Sequence, residues 1–138
     1  MATRSTIAMV LPNGTIQSIY CHWDGYLEGV GQTLAEHYNK RKTIQLLANG
    51  DVSSLGDFVG HKHDFNRSAK VKSTTFYGRD RGETGTESRN HANVEEWLRF
   101  RGEDAEFFYL LQGKEWWYRD CYEVKELTPI VIGLLAKD

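Results

Sequence analysis

Two cysteines and two prolines are all that 138 residues contain. Cys21 and Cys121 are too few for a disulfide framework, so both thiols are expected to stay reduced, as in a cytoplasmic protein. There is no Cys-x-x-Cys pair, which excludes the common structural zinc sites. No apolar run approaches the ~20 residues of a membrane span, and Met1 to Ser5 lead straight into a short alternating segment with no signal-peptide pattern. Walker loop, GxGxxG and nucleophile elbow are all missing. The net charge is only −2, which argues against general nucleic-acid binding.

What is abundant is aromatic and uneven. Aromatic residues make up 12% of the chain and include four tryptophans, more than a core of this size requires. Residues 62–94 carry a basic excess and residues 95–138 an acidic one, a division that suits a local anion site or self-association.

The length fits a single domain over residues 1–138 with its own core. Thr6 to Leu11 and Thr15 to His22 flank Asn13-Gly14, predicting a hairpin on a two-residue turn. That loop would set Leu11 opposite Ile16, Met9 opposite Ser18 and Ile7 opposite Tyr20. Val30, Leu34 and Tyr38 lie at helical spacing, and a second short helix spans Lys42 to Ala48. Residues 57–72 read as an exposed loop, Lys70 to Tyr77 as a strand, and Arg79 to Asn90 as another loop. Asn93 caps a third helix. Glu106 to Gln112 and Glu115 to Tyr122 form a second hairpin across Gly113-Lys114, a type II′ turn with glycine first. Thr128-Pro129 opens either a short terminal helix over Ile130 to Lys137 or a strand. The expectation is an α+β fold: an antiparallel sheet of two hairpins plus a central strand, with three or four helices.

Two clusters carry chemistry. Tyr20-Cys21-His22-Trp23-Asp24-Gly25-Tyr26 packs functional side chains where a strand stops. In one reading Tyr20 or Trp23 stacks on a flat ligand while His22 and Asp24 hydrogen-bond its edge. In the other, Trp23 and Tyr26 plug the core, Asp24-Gly25 is a plain turn and His22 bonds a carbonyl. The second cluster is Phe76-Tyr77-Gly78-Arg79-Asp80-Arg81-Gly82-Glu83. Arg79 and Arg81 either grip a phosphate or carboxylate, with Asp80 orienting them, or form ion pairs with Asp80, Glu83 or Glu28. His61-Lys62-His63-Asp64 has no third histidine nearby and reads as a solvated loop, so no metal is expected. A Cys-His nucleophile pair is open on composition alone, although strand cysteines usually serve as small hydrophobes. Trp116-Trp117-Tyr118 reads as core or interface.

These motifs also carry a resemblance. Arg4-Ser5-Thr6-Ile7, the Tyr20–Tyr26 run, Val30-Gly31, Leu34, Glu36-His37-Tyr38, Gly50-Asp51-Val52-Ser53-Ser54-Leu55-Gly56 and the Tyr77–Glu83 run appear in this order. Together they resemble a widespread family of small phage and prophage proteins, over most of residues 4–123. The resemblance implies a phage accessory protein acting in the host bacterial cytosol, and it supplies no catalytic residue. By analogy of context such a protein blocks host defence. The residues favour a non-enzymatic homo-oligomer, without cofactor, that sequesters a nucleotide-like anion through Tyr20, His22, Trp23, Asp24, Tyr26, Arg79, Asp80 and Arg81. Two alternatives stand beside it. One is an inhibitor that binds a host defence protein through the aromatic hairpin 106–122. The other is a small nucleotide hydrolase using His22 and Asp24.

Overall fold

The computed structural model describes residues 2–60, 73–100, 104–122 and 126–130. Strands β1 (Ser5–Val10) and β2 (Ile16–Cys21) form the first hairpin, but on a longer loop than Asn13-Gly14 predicts. Leu11 N–H donates to Thr15 O at 2.8 Å, and Gly14 N–H to Leu11 O at 2.9 Å. Gly14 takes a φ of +86°, and Asn13 is not among the positive-φ residues that a type I′ turn would need. Pro12 suits the second position of a type I turn, with Gly14 closing a three-residue loop as a bulge. The extra loop residue moves the register by one. Ile7 faces Ile19 and Thr6 faces Tyr20, correcting the expected Ile7–Tyr20 pair.

From β2 the chain runs through a π-helical turn (Leu27–Gly31), α1 (Gln32–His37) and α2 (Lys40–Ala48). It returns as β3 (Val52–Ser54), parallel to β2 through Cys21 and Val52. β4 (Thr75–Phe76) lies antiparallel to β3, and β5 (Arg89–His91) pairs antiparallel with Ile16, Gln17 and Ser18 of β2. After α3 (Val94–Arg99), β6 (Phe107–Gln112) enters beside β1 and parallel to it. β7 (Glu115–Asp120) and β8 (Thr128–Pro129) complete the order β4-β3-β2-β1-β6-β7-β8, with β5 beside β2.

The expected α+β fold on an antiparallel sheet is therefore corrected. Among the described residues strand outweighs helix, in one open, mixed, eight-stranded sheet with three short α-helices. The reason lies in the connections. Parallel neighbours need a crossover, and helices lie in the connections that lead into the parallel pairs, with α1 and α2 before β3 and α3 before β6. The second hairpin has the expected pairs, Leu111 with Trp116 and Leu110 with Trp117, on a turn where Gly113 has a φ of +61°. Thr128 and Pro129 extend the sheet as β8, and of the expected terminal helix over Ile130 to Lys137 only Ile130 is described, its N–H donating to Trp116 O. The predicted 70–77 strand contracts to β4, residues 70–72 also lying outside.

The sheet is covered on both faces. Ile7, Ile19, Cys21, Tyr109 and Leu111 pack against Val30, Leu34, Tyr38, Leu46 and Leu47 from the helical crossover. On the other face Ala8, Ile16, Phe108 and Leu110 pack around Trp97 of α3. Each fully buried leucine contributes about 2 kcal/mol of transfer free energy. The buried polar tips are matched: Trp97 Nε1 donates to Thr6 Oγ1 at 3.2 Å and Trp116 Nε1 to Tyr38 O at 2.9 Å. Asn39 and Asn93 cap α2 and α3 by accepting from Lys42 N and Glu96 N.

One edge of β2 is served by two short strands that leave a gap at Tyr20. Asp51 fills it. Its Oδ1 accepts from Tyr20 N–H at 2.9 Å, while the Arg89 guanidinium grips both oxygens at 2.9 and 2.8 Å. Asp51 O also accepts from Tyr77 N–H, and Asp51 N–H donates to Thr86 O. Gly50 makes this approach possible with a φ of +81°, and a Cβ there would stand 2.2 Å from Thr86 O. Asp51→Ala is expected to cost about 3 kcal/mol in urea unfolding, because it removes the acceptor of the Tyr20 amide and both charge-assisted bonds to the partly buried guanidinium. A loss below about 1 kcal/mol, the range of ordinary surface changes, would show that the edge holds without it.

Candidate functional site

Tyr20 and His22 alternate with Cys21, so the two rings share the face opposite the main core. The strand continues past β2, as His22 N–H donates to Val52 O and Trp23 N–H to Ser53 O. Cys21 points inward and is fully buried, and burial pushes its thiol up to about 12. A thiol so held is a poor nucleophile.

Asp24 turns the chain in the left-handed region at φ +56°. Gly25 N–H donates to Thr3 O, and Tyr109 Oη donates to Gly25 O at 2.6 Å. A Cβ on Gly25 would meet Thr3 O at 2.6 Å, and one on Gly29 would meet Asp24 O at 2.3 Å. The backbone of this corner is thus a packed structural joint. Its larger side chains are not: Trp23 is 45% exposed and Tyr26 41%, so neither plugs the core. Tyr26 Oη donates to Asp24 Oδ1 at 3.4 Å, on the exposed side.

The arginine cluster divides. Asp80 is buried, and its Oδ2 accepts from Phe76 N–H at 2.8 Å. Arg79 Nε donates to Asp80 Oδ1 at 3.1 Å, and its terminal nitrogens donate to Thr74 O and Gly60 O at 3.1 and 2.8 Å. Its guanidinium also lies 4.5 Å from the Phe76 ring centre. These bonds make Arg79 and Asp80 the internal ion pair of the second reading. Arg81 is exposed, with its guanidinium 5.4 Å from the Tyr77 ring centre.

Asp51 brings the two clusters together, because it bonds the backbones of both Tyr20 and Tyr77. The Tyr20 phenol is held above its ordinary value by burial first. Arg4 opposes that shift and Tyr77 adds to it, so both side chains lie within electrostatic reach. Tyr20 Oη is 2.5 Å from His22 Nδ1. The rings continue edge-on to Trp23, 4.7 Å from His22 between centres and at 88°. Arg4, Tyr20, His22, Trp23 and Tyr77 are linked in this way, and Arg81 joins them through the Tyr77 ring. Sequence reasoning did not single out Arg4 or Tyr77 as site residues. The signal for Arg4 was strand parity, since Arg4 and Thr6 alternate toward the same face as Tyr20.

Other constellations are structural. Ser18 Oγ and His91 Nε2 stand 2.9 Å apart, but Ser18 is fully buried in mid-strand and out of reach of a substrate. The hairpin 106–122 places β6 inside the sheet, and Leu110, Leu111 and Trp116 are buried. The His61–Asp64 run lies outside the described residues. Among the described residues no three His, Cys, Asp or Glu side chains gather as a metal site. No described helix is long and apolar enough to cross a membrane.

Comparison with family models, curated proteins and solved structures finds no match for this chain.

His91 gives a pH test of the framework around this surface. Burial first, then the Arg89 charge, lowers its pKa below the ordinary imidazole value. The unfolded chain therefore binds the proton more readily, so stability falls as pH drops from about 6.5 through the lower folded value. Urea midpoints at pH 7 and pH 5 should show a larger acid loss in the wild type than in His91→Gln. Equal losses would place the titration elsewhere.

Proposed function

We propose that this chain is a phage accessory protein that captures a nucleotide-like anionic ligand and does not turn it over. The observation that supports the reading is the linkage through Asp51: the rings of Tyr20, His22 and Trp23 run together, Arg4 and Tyr77 lie within electrostatic reach of the Tyr20 phenol, and the Arg81 guanidinium lies over the Tyr77 ring. A base stacks on an exposed aromatic face without sequence demands, and a guanidinium holds phosphate oxygens in pairs. Trp23 is the stacking platform, with Asp24 and Tyr26 at the edge of the base. Arg81 holds the anion. Arg79 and Asp80 keep the turn that carries Arg81 rigid.

The anti-defence purpose and the host cytosol come from the family resemblance, and the homo-oligomer from the aromatic surface and uneven charge. Sequestration needs affinity more than chemistry, which suits a surface of rings and cations.

Isothermal titration against cyclic dinucleotides and ADP-ribose-type nucleotides tests the reading. Saturable binding is expected for at least one, weakened roughly tenfold or more by Arg81→Ala and by Trp23→Ala, with thermal unfolding unchanged. Arg79→Ala should instead lower the unfolding temperature. Silence across the panel would remove the proposal.

A further inference from the structure

Asp24 holds a φ of +56°, a region that a residue with a side chain enters only where its surroundings fix it there. Here they do. Asp24 O accepts from Val30 N–H at 2.8 Å, and Tyr26 O accepts from Gly29 N–H at 3.0 Å. A Cβ on Gly29 would stand 3.2 Å from Asp24 Cβ and 3.1 Å from the Tyr26 ring, so the bare glycine lets both side chains close over it. The Asp24 carboxylate takes no part in holding this corner. The π-helical turn that follows has Tyr26 as its N-cap, with no side-chain cap bond. Among the described residues the carboxylate meets one partner, the Tyr26 hydroxyl, 3.4 Å from Oδ1. That contact is long for an O–H···O bond, so the phenol hydrogen turns to any nearer acceptor. Both side chains are exposed. The corner therefore presents two acceptors and then a donor, side by side on a fixed backbone.

The bases differ in which of them can answer that order. Guanine sets its amino group, N1–H and O6 in a row along its pairing edge, two donors and then an acceptor. Adenine and cytosine place a ring-nitrogen lone pair beside the amino group. Uracil places a carbonyl on each side of its N–H. Each of these three brings an acceptor against a carboxylate oxygen. We propose that Asp24 and Tyr26 read the pairing edge of a guanine base. The carboxylate oxygens accept from the amino group and N1–H, and the Tyr26 hydroxyl donates to O6. Trp23, the neighbouring residue and 45% exposed, supplies the stacking face. The wrong base leaves these polar groups unpaired or opposed, which discriminates more strongly than the loss of an apolar contact. The proposal rests on the nucleotide-binding reading of the same surface and names its base.

The test is isothermal titration of the full chain with four probes: guanosine monophosphate, inosine monophosphate, adenosine monophosphate and guanosine. Inosine monophosphate has N1–H and O6 but no amino group. Guanosine monophosphate should bind about tenfold more tightly than inosine monophosphate, and adenosine monophosphate more weakly than either. Asp24→Asn keeps the left-handed turn, which asparagine also tolerates, and replaces one acceptor with a donor. It should weaken guanosine monophosphate about tenfold or more and erase its advantage over inosine monophosphate, whose base has no amino group to oppose the new one. Thermal unfolding should stay unchanged. Tyr26→Phe should weaken guanosine monophosphate about fivefold. Equal binding of the adenine and guanine nucleotides overturns the guanine inference and leaves the nucleotide reading standing. An Asp24→Asn variant that keeps the wild-type preference overturns it as well. If guanosine binds as tightly as its monophosphate, with inosine monophosphate weaker, the guanine inference stands and the anion reading falls. If none of the four probes binds, both fall.

Discussion

The carboxylate of Asp51 decides how the left half of this sheet is joined. A strand edge must find partners for its amides, and β2 finds them in three kinds: β5 at one end, β3 at the other and a side chain between. A carboxylate in that gap would be costly if left alone, being 6% exposed. Arg89 offsets the cost with two charge-assisted bonds. Because Arg89 belongs to β5, the ion pair also ties the far strand to the loop before β3. Gly50 is the local condition, since only a residue without a Cβ lets Thr86 O come so near.

The position of the candidate surface follows from this joint and from the size of α3. Six residues of helix cover Ala8, Ile16, Phe108 and Leu110, and little more. Tyr20 and His22 lie farther along the same face, toward the end of β2, where they stay only part-buried. Asp51 then brings in the turn after β4 through its bond from Tyr77, and Arg81 follows over the Tyr77 ring. The two motif clusters are fifty-odd residues apart in sequence, yet a single acidic side chain and its backbone link them.

The second hairpin was legible to the residue because Gly113 can supply the one positive φ of its turn and the flanking alternation is strong. The first is shifted by one position because Asn13-Gly14 predicts a two-residue turn, whereas the chain builds a three-residue loop that includes Pro12. β3 and β5 have three residues each, too few for a period to show, and the parallel pairings of β3 with β2 and of β6 with β1 depend on crossovers whose landing place no local pattern encodes. Within the site, the chemistry of Tyr20–Tyr26 was visible, but its division of labour was not. Two of Arg79's partners are carbonyls of Thr74 and Gly60, which any residue would supply and which no motif can therefore announce.

The same division bears on whether this surface binds or reacts. A nucleophile needs an exposed, activated atom beside a base. Cys21 is next to His22 in sequence but on the opposite face, with burial holding its thiol near 12. Ser18 does touch an imidazole, yet it is closed under the strand packing. Strand parity thus separates the nucleophilic atoms from the exposed rings. Beside Tyr20 the half-buried His22 ring and the exposed Trp23, Asp24 and Tyr26 side chains reach solvent. On the proposed reading these rings stack on a bound base and the Asp24 carboxylate meets its edge, while the two nucleophilic atoms that lie nearest in the strand stay closed beneath the packing.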